Sequence, residues 1–298
     1  MDISINRYFH VDVFAHRALA GNGLGVFLPC DGWSESFLQQ LTREMRQFES
    51  IFLGAIDAHG ASARIFTMQE ELPFAGHPVL GAAAVLHRTQ APDEEERRWI
   101  LRLPARAVTV TTRRLAGAVF AEMDQGLAEF GAAIDAAQAT DLLAALNLEI
   151  RDLAQGLPLQ VVSTGLPYLI VPVTAEALDR SAVRGRELER LLARFGARFV
   201  YVLDPDAPEG RTWDNLGDVE DVATGSAAGP AAAYLYRHGR VAADRKIVVR
   251  QGRHARRASE LGARCVDGHI RVSGEVWPVL SGVLDADPER ALPGSATR

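Results

Sequence analysis

The chain has 298 residues, 48% of them hydrophobic, and a formal net charge of −6, which suits one large or two medium domains with real cores. No apolar run reaches the roughly 18 to 20 residues of a membrane span, no basic-then-apolar leader opens the chain, and the densest basic run, Arg253 to Ala258, reads as a solvated strip and not a nucleic-acid patch. Cys30 and Cys265 lie far apart with no CxxC or Cys/His neighbourhood, so neither a disulfide framework nor a zinc site is indicated, and a soluble cytoplasmic protein is expected.

Alternating β-branched and aromatic residues predict a strand over Ile5 to Phe14 and another over Gly25 to Leu28, joined by a turn at Gly21-Asn22-Gly23. Ser34 is suited to cap a helix whose apolar residues Phe37, Leu38, Leu41 and Met45 recur at helical spacing, ending near Gln47. Phe48 to Leu53 reads as a strand with a carboxylate, Glu49, at its beginning, and Ala63 to Thr67 as its neighbour. Pro78 suits the first position of a helix, which puts His77 at or next to the N-cap. From Val79 to Leu86 that helix has no polar face, the mark of burial on all sides. Ile100 to Leu103, Ala107 to Thr112 and Ala118 to Glu122 supply further strands, and Gln125 to Gln155 is Ala-rich and helical.

The second half repeats the order. Leu159 to Ser163, Tyr168 to Val173 and Phe199 to Leu203 read as strands, and Leu188 to Phe195 as a helix. Ser226 is suited to cap a helix from Ala227 to about His238, with Gly239 as its stop. Short strands over Lys246 to Val249, Glu260 to Arg264, His269 to Val272 and Glu275 to Val283 close the half, and a tail over 285–298 is expected to fray.

The repeat is literal in one stretch. ELPFAGHPVLGAAAVLHR from Glu71 to Arg88 matches EDVATGSAAGPAAAYLYR from Glu220 to Arg237, with Gly76 and Gly225 separated by 149 positions, half the 298-residue length. At that offset Ile51-Phe52-Leu53 falls on Val200-Tyr201-Val202, and His77 falls on Ser226. The expected fold is α+β, with two pseudo-symmetric lobes over 1–128 and 129–284, each a curved, mainly antiparallel sheet wrapped around a buried central helix. The two loops ahead of those helices are expected to face each other across a cleft. Helix N-termini carry unpaired N–H groups and partial positive charge, so two converging ends would take an anionic small molecule, most simply a carboxylate. No metal-ligand cluster is visible, since His77 has no partner at ligand spacing.

The segments AGNGLGVF (20–27), REMRQFESIFL (43–53), ELPFAGHPVLGAA (71–83), STGLPYLIVPV (163–173) and VEDVATGSAAGP (219–230) together resemble the PhzF family of phenazine biosynthesis, in order and spacing, over nearly the whole chain. That resemblance implies the fold shared with diaminopimelate epimerase and a homodimer. It also implies a cofactor-independent isomerisation of trans-2,3-dihydro-3-hydroxyanthranilate. It makes Glu49 the general acid/base, with His77, Asp221 and Ser226 holding and polarising the substrate. Backbone groups of Gly76, Thr224 and Gly225 would anchor its carboxylate, and Asn22 and Ser50 belong to the same substrate-binding set. Moving a proton across a conjugated ring needs one group that takes and returns it on one face, which a carboxylate held out of water can do when its pKa is raised.

Plainer readings stand beside these. Glu49 would be an ordinary strand-start carboxylate, His77 and Ser226 simple helix caps, and Asp221 a helix-end stabiliser. Departures from the family pattern, Gly23 for the Pro of GNP, Val222 for the Pro of EDPATGS and Arg256-Arg257-Ala258-Ser259 for GRPS, leave the proposed catalytic residues in place and bear on substrate choice. An amino-acid racemase or epimerase is the enzymatic alternative, although its two opposed thiols would stand where this chain has Gly76-His77 and Gly225-Ser226. A metabolite-binding protein without catalysis is the third reading.

Overall fold

The computed structural model describes residues 6–242 and 245–285. Ile5 of the first expected strand, and the expected tail beyond Asp285, lie outside the described residues.

In chain order the elements are β1 (Arg7–Val13), β2 (Asn22–Leu28), α1 (Glu35–Met45), β3 (Glu49–Asp57), β4 (Gly60–Thr67), β5 (Glu71–Leu72), α2 (Gly76–Gln90), β6 (Glu96–Arg102), β7 (Ala107–Arg114) and β8 (Val119–Leu127). They continue with β9 (Glu129–Ile134), α3 (Thr140–Ala145), β10 (Leu159–Ser163), β11 (Pro167–Pro172), α4 (Ala175–Arg180), α5 (Leu188–Ala193), β12 (Phe199–Asp204) and β13 (Glu209–Arg211). Last come α6 (Gly225–Arg237), β14 (Ile247–Gln251), β15 (Ser259–Val266) and β16 (His269–Val283). The fold is thus sheet-rich α+β with few helices. Contacts divide the chain into one unit holding residues up to Met123 and from Ser273 onward, and a second, Asp124–Val272.

In the first unit the strand order β1-β2-β3-β4-β6-β7-β8-β16 closes on itself, because Val276 to Val283 of β16 pair antiparallel with Val13 to Arg7 of β1. The result is a closed eight-strand barrel. Most of its pairings are antiparallel, but β2 runs parallel to β3 and β4 parallel to β6, each through a connection that carries a helix. Ser34 caps α1 as expected, accepting from the Phe37 N–H, and Arg46 ends the helix in the left-handed region at φ 50°. Phe37, Leu38 and Leu41 of α1 pack with Phe27, Phe52 and Phe66 of the sheet. Helix α2 is buried from Gly76 to His87 and packs against β1, β2, β3, β6 and β7. Gly81 permits that approach, since a Cβ there would lie 2.4 Å from Leu24 Cδ2.

The second unit orders its strands β16-β15-β14-β13-β12-β11-β10-β9. Its parallel pairs are β11 with β12, connected through α4 and α5, and β13 with β14, connected through α6. Helix α6 packs against β10, β11, β12, β14 and β15. On another face Leu142, Leu143, Leu178, Leu188 and Leu192 of α3, α4 and α5 pack with Val171, Val200, Val202 and Trp213.

Four local expectations need correction. The span Gln125 to Gln155, expected to be helical, holds the end of β8, the strand β9 and one short α-helix, α3. The contact-defined units differ from 1–128 and 129–284, because the two strands expected over His269 to Val272 and Glu275 to Val283 are one strand, β16, whose second half returns to pair with β1. The helix starts differ as well: the N-caps are Ala75 and Thr224, neither with a side-chain cap bond, so His77 and Ser226 are the second residues of their helices and Pro78 the third.

Finally, the match of Ile51-Phe52-Leu53 with Val200-Tyr201-Val202 is one residue out of phase. Phe52 packs with α1, whereas Tyr201 turns the other way to reach Gln251, and Val200 and Val202 pack with the outer helices. A slip of one residue moves every strand side chain to the opposite face, so Phe52 corresponds to Val202. Their cross-strand partners are Arg64 and Arg211.

Candidate active site

In the first unit the alternation of β3 decides which side chains meet α2. Ser50 and Phe52 share one face and Glu49 takes the other, where it approaches His77 with Oε2 3.5 Å from Nδ1. Both are buried, Glu49 at 7% and His77 at 5% exposure, which is uncommon for a carboxylate and rules out the reading of Glu49 as a solvated strand start. Burial pushes the His77 pKa down to about 3, so the imidazole is neutral at physiological pH. With Nδ1 turned to the carboxylate, His77 Nε2 has no hydrogen-bond partner among the described residues. Gly76, the first residue of α2, is also buried and has no side chain to cover the helix end.

The other expected residues of this unit fall differently. Ser50 is fully buried and pairs with Gly25 of β2, and its Oγ, 3.4 Å from where a Gly25 Cβ would lie, has no partner among the described residues. It is not brought together with Glu49 and His77. Asn22 is buried at the start of β2, opposite Val13 of β1. The turn before it is held by a residue that the sequence pattern did not single out: buried Asp12 accepts from the Leu19 N–H at 2.6 Å. Gly21 is required there, at φ 67° with Val13 O only 2.4 Å from a Cβ.

In the second unit Asp221, Thr224, Gly225 and Ser226 do come together. Asp221 accepts from the Ala223 N–H through Oδ1 and from the Thr224 hydroxyl through Oδ2, a local Asp turn ahead of α6. The Thr224 hydroxyl thus donates to Asp221, and it makes no cap bond to the helix. Gln251, buried at 1% exposure, fastens the turn from outside: its amide donates to the Asp221 carbonyl at 2.8 Å and the Thr224 hydroxyl at 2.9 Å, and its Oε1 accepts from the Tyr201 hydroxyl at 3.1 Å. Ser226 Oγ lies 2.7 Å from the Tyr168 hydroxyl. Buried Gln125 donates to the Gly225 carbonyl at 2.8 Å and accepts from Thr164 at 2.8 Å. Gly229 makes room for it, as a Cβ there would sit 2.0 Å from Gln125 Oε1.

Tyr168, Gln251 and Gln125 were missed in the sequence. Tyr168 lies within the segment 163–173 and could have been found there. A single buried Gln carries no periodic signal, and Gln125 and Gln251 become significant only where strands bring them under the Asp221–Ser226 loop.

A sheet-rich α+β barrel of this kind defines a class in the solved structures. The fold aligns with that of a PhzF-family protein from Bacillus anthracis at a TM-score of 0.81 and 22% identity, covering 94% of this chain and 98% of that one. It also aligns with a Pseudomonas aeruginosa protein described as a predicted epimerase, at a TM-score of 0.89 and 50% identity, covering 95% and 100%. The chain belongs to the phenazine biosynthesis-like (PhzC-PhzF) family, whose model matches residues 11–282. Among named relatives, the trans-2,3-dihydro-3-hydroxyanthranilate isomerase of Pseudomonas aeruginosa is 34% identical over 277 residues, covering 90% of this chain and 94% of the relative. The protein is an isomerase of PhzF type. Among the described residues no helix is long and apolar enough to cross a membrane.

Proposed function

We propose that the protein moves a proton between two carbons of a small cyclic amino or hydroxy acid without a cofactor, with trans-2,3-dihydro-3-hydroxyanthranilate as the first substrate to test. The observation that carries this reading is the buried contact of Glu49 with a neutral His77. Glu49 takes a proton from one carbon, the electron pair moves through the conjugated system, and the resulting carboxylic acid returns the proton to the other carbon. No net charge or redox change remains. His77, Asp221 and Ser226 hold and polarise the substrate, and the helix-start groups at Gly76, Thr224 and Gly225 take its carboxylate. Asn22 shapes the turn at β2, and Ser50 contributes through its strand backbone.

The finer architecture belongs to the same reading. We take the units as pseudo-symmetric lobes of the diaminopimelate epimerase-like fold, each with a central buried helix, in a cytoplasmic homodimer. The repeated helix starts at Gly76 and Gly225 and the matching parallel pairings support the symmetry. Sedimentation at two concentrations tests the dimer, and a single monomeric species at both would exclude it.

Incubation with dihydrohydroxyanthranilate in deuterated water tests the reaction, followed by ultraviolet absorbance and mass. Wild type should isomerise it with solvent deuterium incorporated, and Glu49→Gln should be slower by about 10²- to 10⁴-fold. Equal rates in both would remove Glu49 from the mechanism. The 50% identity to a protein described as a predicted epimerase keeps a racemase reading in view. Its sign would be deuterium at the α-carbon of an amino acid. Burial raises the Cys30 thiol well above its usual range, which works against thiolate chemistry there. A ligand that raises the melting temperature while Glu49→Gln changes no assay would favour the binding protein.

A further inference from the structure

Each unit ties down the loop ahead of its buried helix in the same way. In the first, Arg64 of β4 grips Glu71 with two bonds, Nε to Oε1 at 2.8 Å and Nη2 to Oε2 at 2.6 Å. In the second, Arg211 of β13 grips Glu220 with the same two atoms, at 3.0 Å and 2.6 Å. The likeness extends beyond the ion pair. The guanidinium lies over the aromatic ring two residues further along the chain, Phe66 at 5.1 Å and Trp213 at 4.9 Å from the centroid. That same aromatic residue is the β-pairing partner of the glutamate, Phe66 with Glu71 between β4 and β5 and Trp213 with Glu220 in an isolated antiparallel bridge.

The two arginines are 147 positions apart while the glutamates are 149 apart, so a single sequence offset hides the correspondence. Six residues beyond each glutamate stand His77 and Ser226. A planar guanidinium locked on a carboxylate fixes direction as well as distance, which a lysine cannot do. The second fork is the more deeply set, with side-chain exposures of 9% and 15% against 33% and 25% in the first. Arg211 also donates to the carbonyls of Leu178, Asp179 and Ser181, anchoring the fork to the end of α4.

We propose that the forks Arg64–Glu71 and Arg211–Glu220 are paired positioning devices. The first holds His77 at the start of α2 in register with Glu49, and the second holds the Asp221 turn and Ser226 at the start of α6. Arg64 and Arg211 thereby act on the reaction through the loops, never by touching substrate. This rests on the isomerase roles proposed above for His77, Asp221 and Ser226.

The test uses the full chain with Arg64→Lys, Arg211→Lys, Glu71→Gln and Glu220→Gln, read by hydrogen exchange and by isomerase kinetics. In the variants of each fork, peptides covering 71–77 or 220–226 should exchange about tenfold faster, while the helix peptides 79–88 and 228–237 keep their protection. The first fork carries the group beside the base, so its variants should lower kcat by about 10- to 100-fold. The second carries substrate-holding groups, so its variants should chiefly raise KM. Glu220→Gln leaves the Arg211 bonds to residues 178–181 in place and so covers the case in which Arg211→Lys fails to fold. Loop exchange unchanged in the glutamine variants, or raised uniformly through the unit, would overturn the proposal. If wild type fails to turn over dihydrohydroxyanthranilate, the assigned reaction falls, and the exchange data still decide whether the forks hold the loops.

Discussion

His77 sits in an environment far from that of a free side chain. Its folded pKa of about 3 lies below the usual 6.5, so the unfolded chain binds the proton first as pH falls. Stability from this group is complete above about pH 6.5 and is lost progressively as pH drops toward 3. At pH 5 the loss amounts to about 2 kcal/mol by linkage, of the order of one pKa unit per 1.4 kcal/mol. Denaturant melts at pH 7.5 and pH 5 should show this difference in wild type and a smaller one in His77→Gln. An equal difference in both would mean that His77 is not buried neutral. Tyr168 meets Ser226 at 2.7 Å, so Tyr168→Phe should cost about 1 kcal/mol of stability and, in the proposed reaction, weaken kcat/KM through Ser226. Unchanged melting and kinetics would show that the pair does not matter.

At the scale of elements, the two buried helices depend on glycines that keep neighbours close. Gly81→Ala sets a methyl against Leu24 Cδ2 and Gly229→Ala sets one against Gln125 Oε1. Alanine gains about 1 kcal/mol in helix propensity, but overpacking costs about 1–3 kcal/mol. In Gly229→Ala the Gln125 bonds to Gly225 and Thr164 are at risk as well. Both variants should melt below wild type, Gly229→Ala the further. A rise in Tm for Gly229→Ala would mean that Gln125 can move aside without loss. Much of these elements is visible in the sequence: the Ser34 cap, the amphipathic α1 and the all-apolar run of α2 follow from local chemistry. The phase of β3 against β12 does not, because both residues of a slipped register are hydrophobic and only the neighbouring helices reveal which face each takes.

For the molecule as a whole, the decisive strand is β16. Its first residues, to Val272, belong with the second unit and its later ones pair with β1 to close the barrel of the first unit. Ending the chain at Val272 should therefore leave β1 as an open edge and abolish a cooperative melt. A soluble fragment 1–272 with a wild-type melting curve would show that closure by β16 is dispensable. The lobes inferred from the repeat had to place residues 273–284 in the second half, since a half-length repeat gives no sign that the chain turns back at its end.

The sequence by itself made most of the strands and both buried helices legible and marked the residues proposed to be chemically active, because each is signalled by local periodicity, small-residue composition or a motif within a few positions. Tertiary structure alone decided that Glu49 meets His77 while Ser50 turns away. It also supplied Gln251, Gln125 and the two arginine forks, which join residues on different strands at offsets that no single alignment register preserves. Strand pairing fixes those contacts, and pairing partners are chosen by burial across the whole sheet.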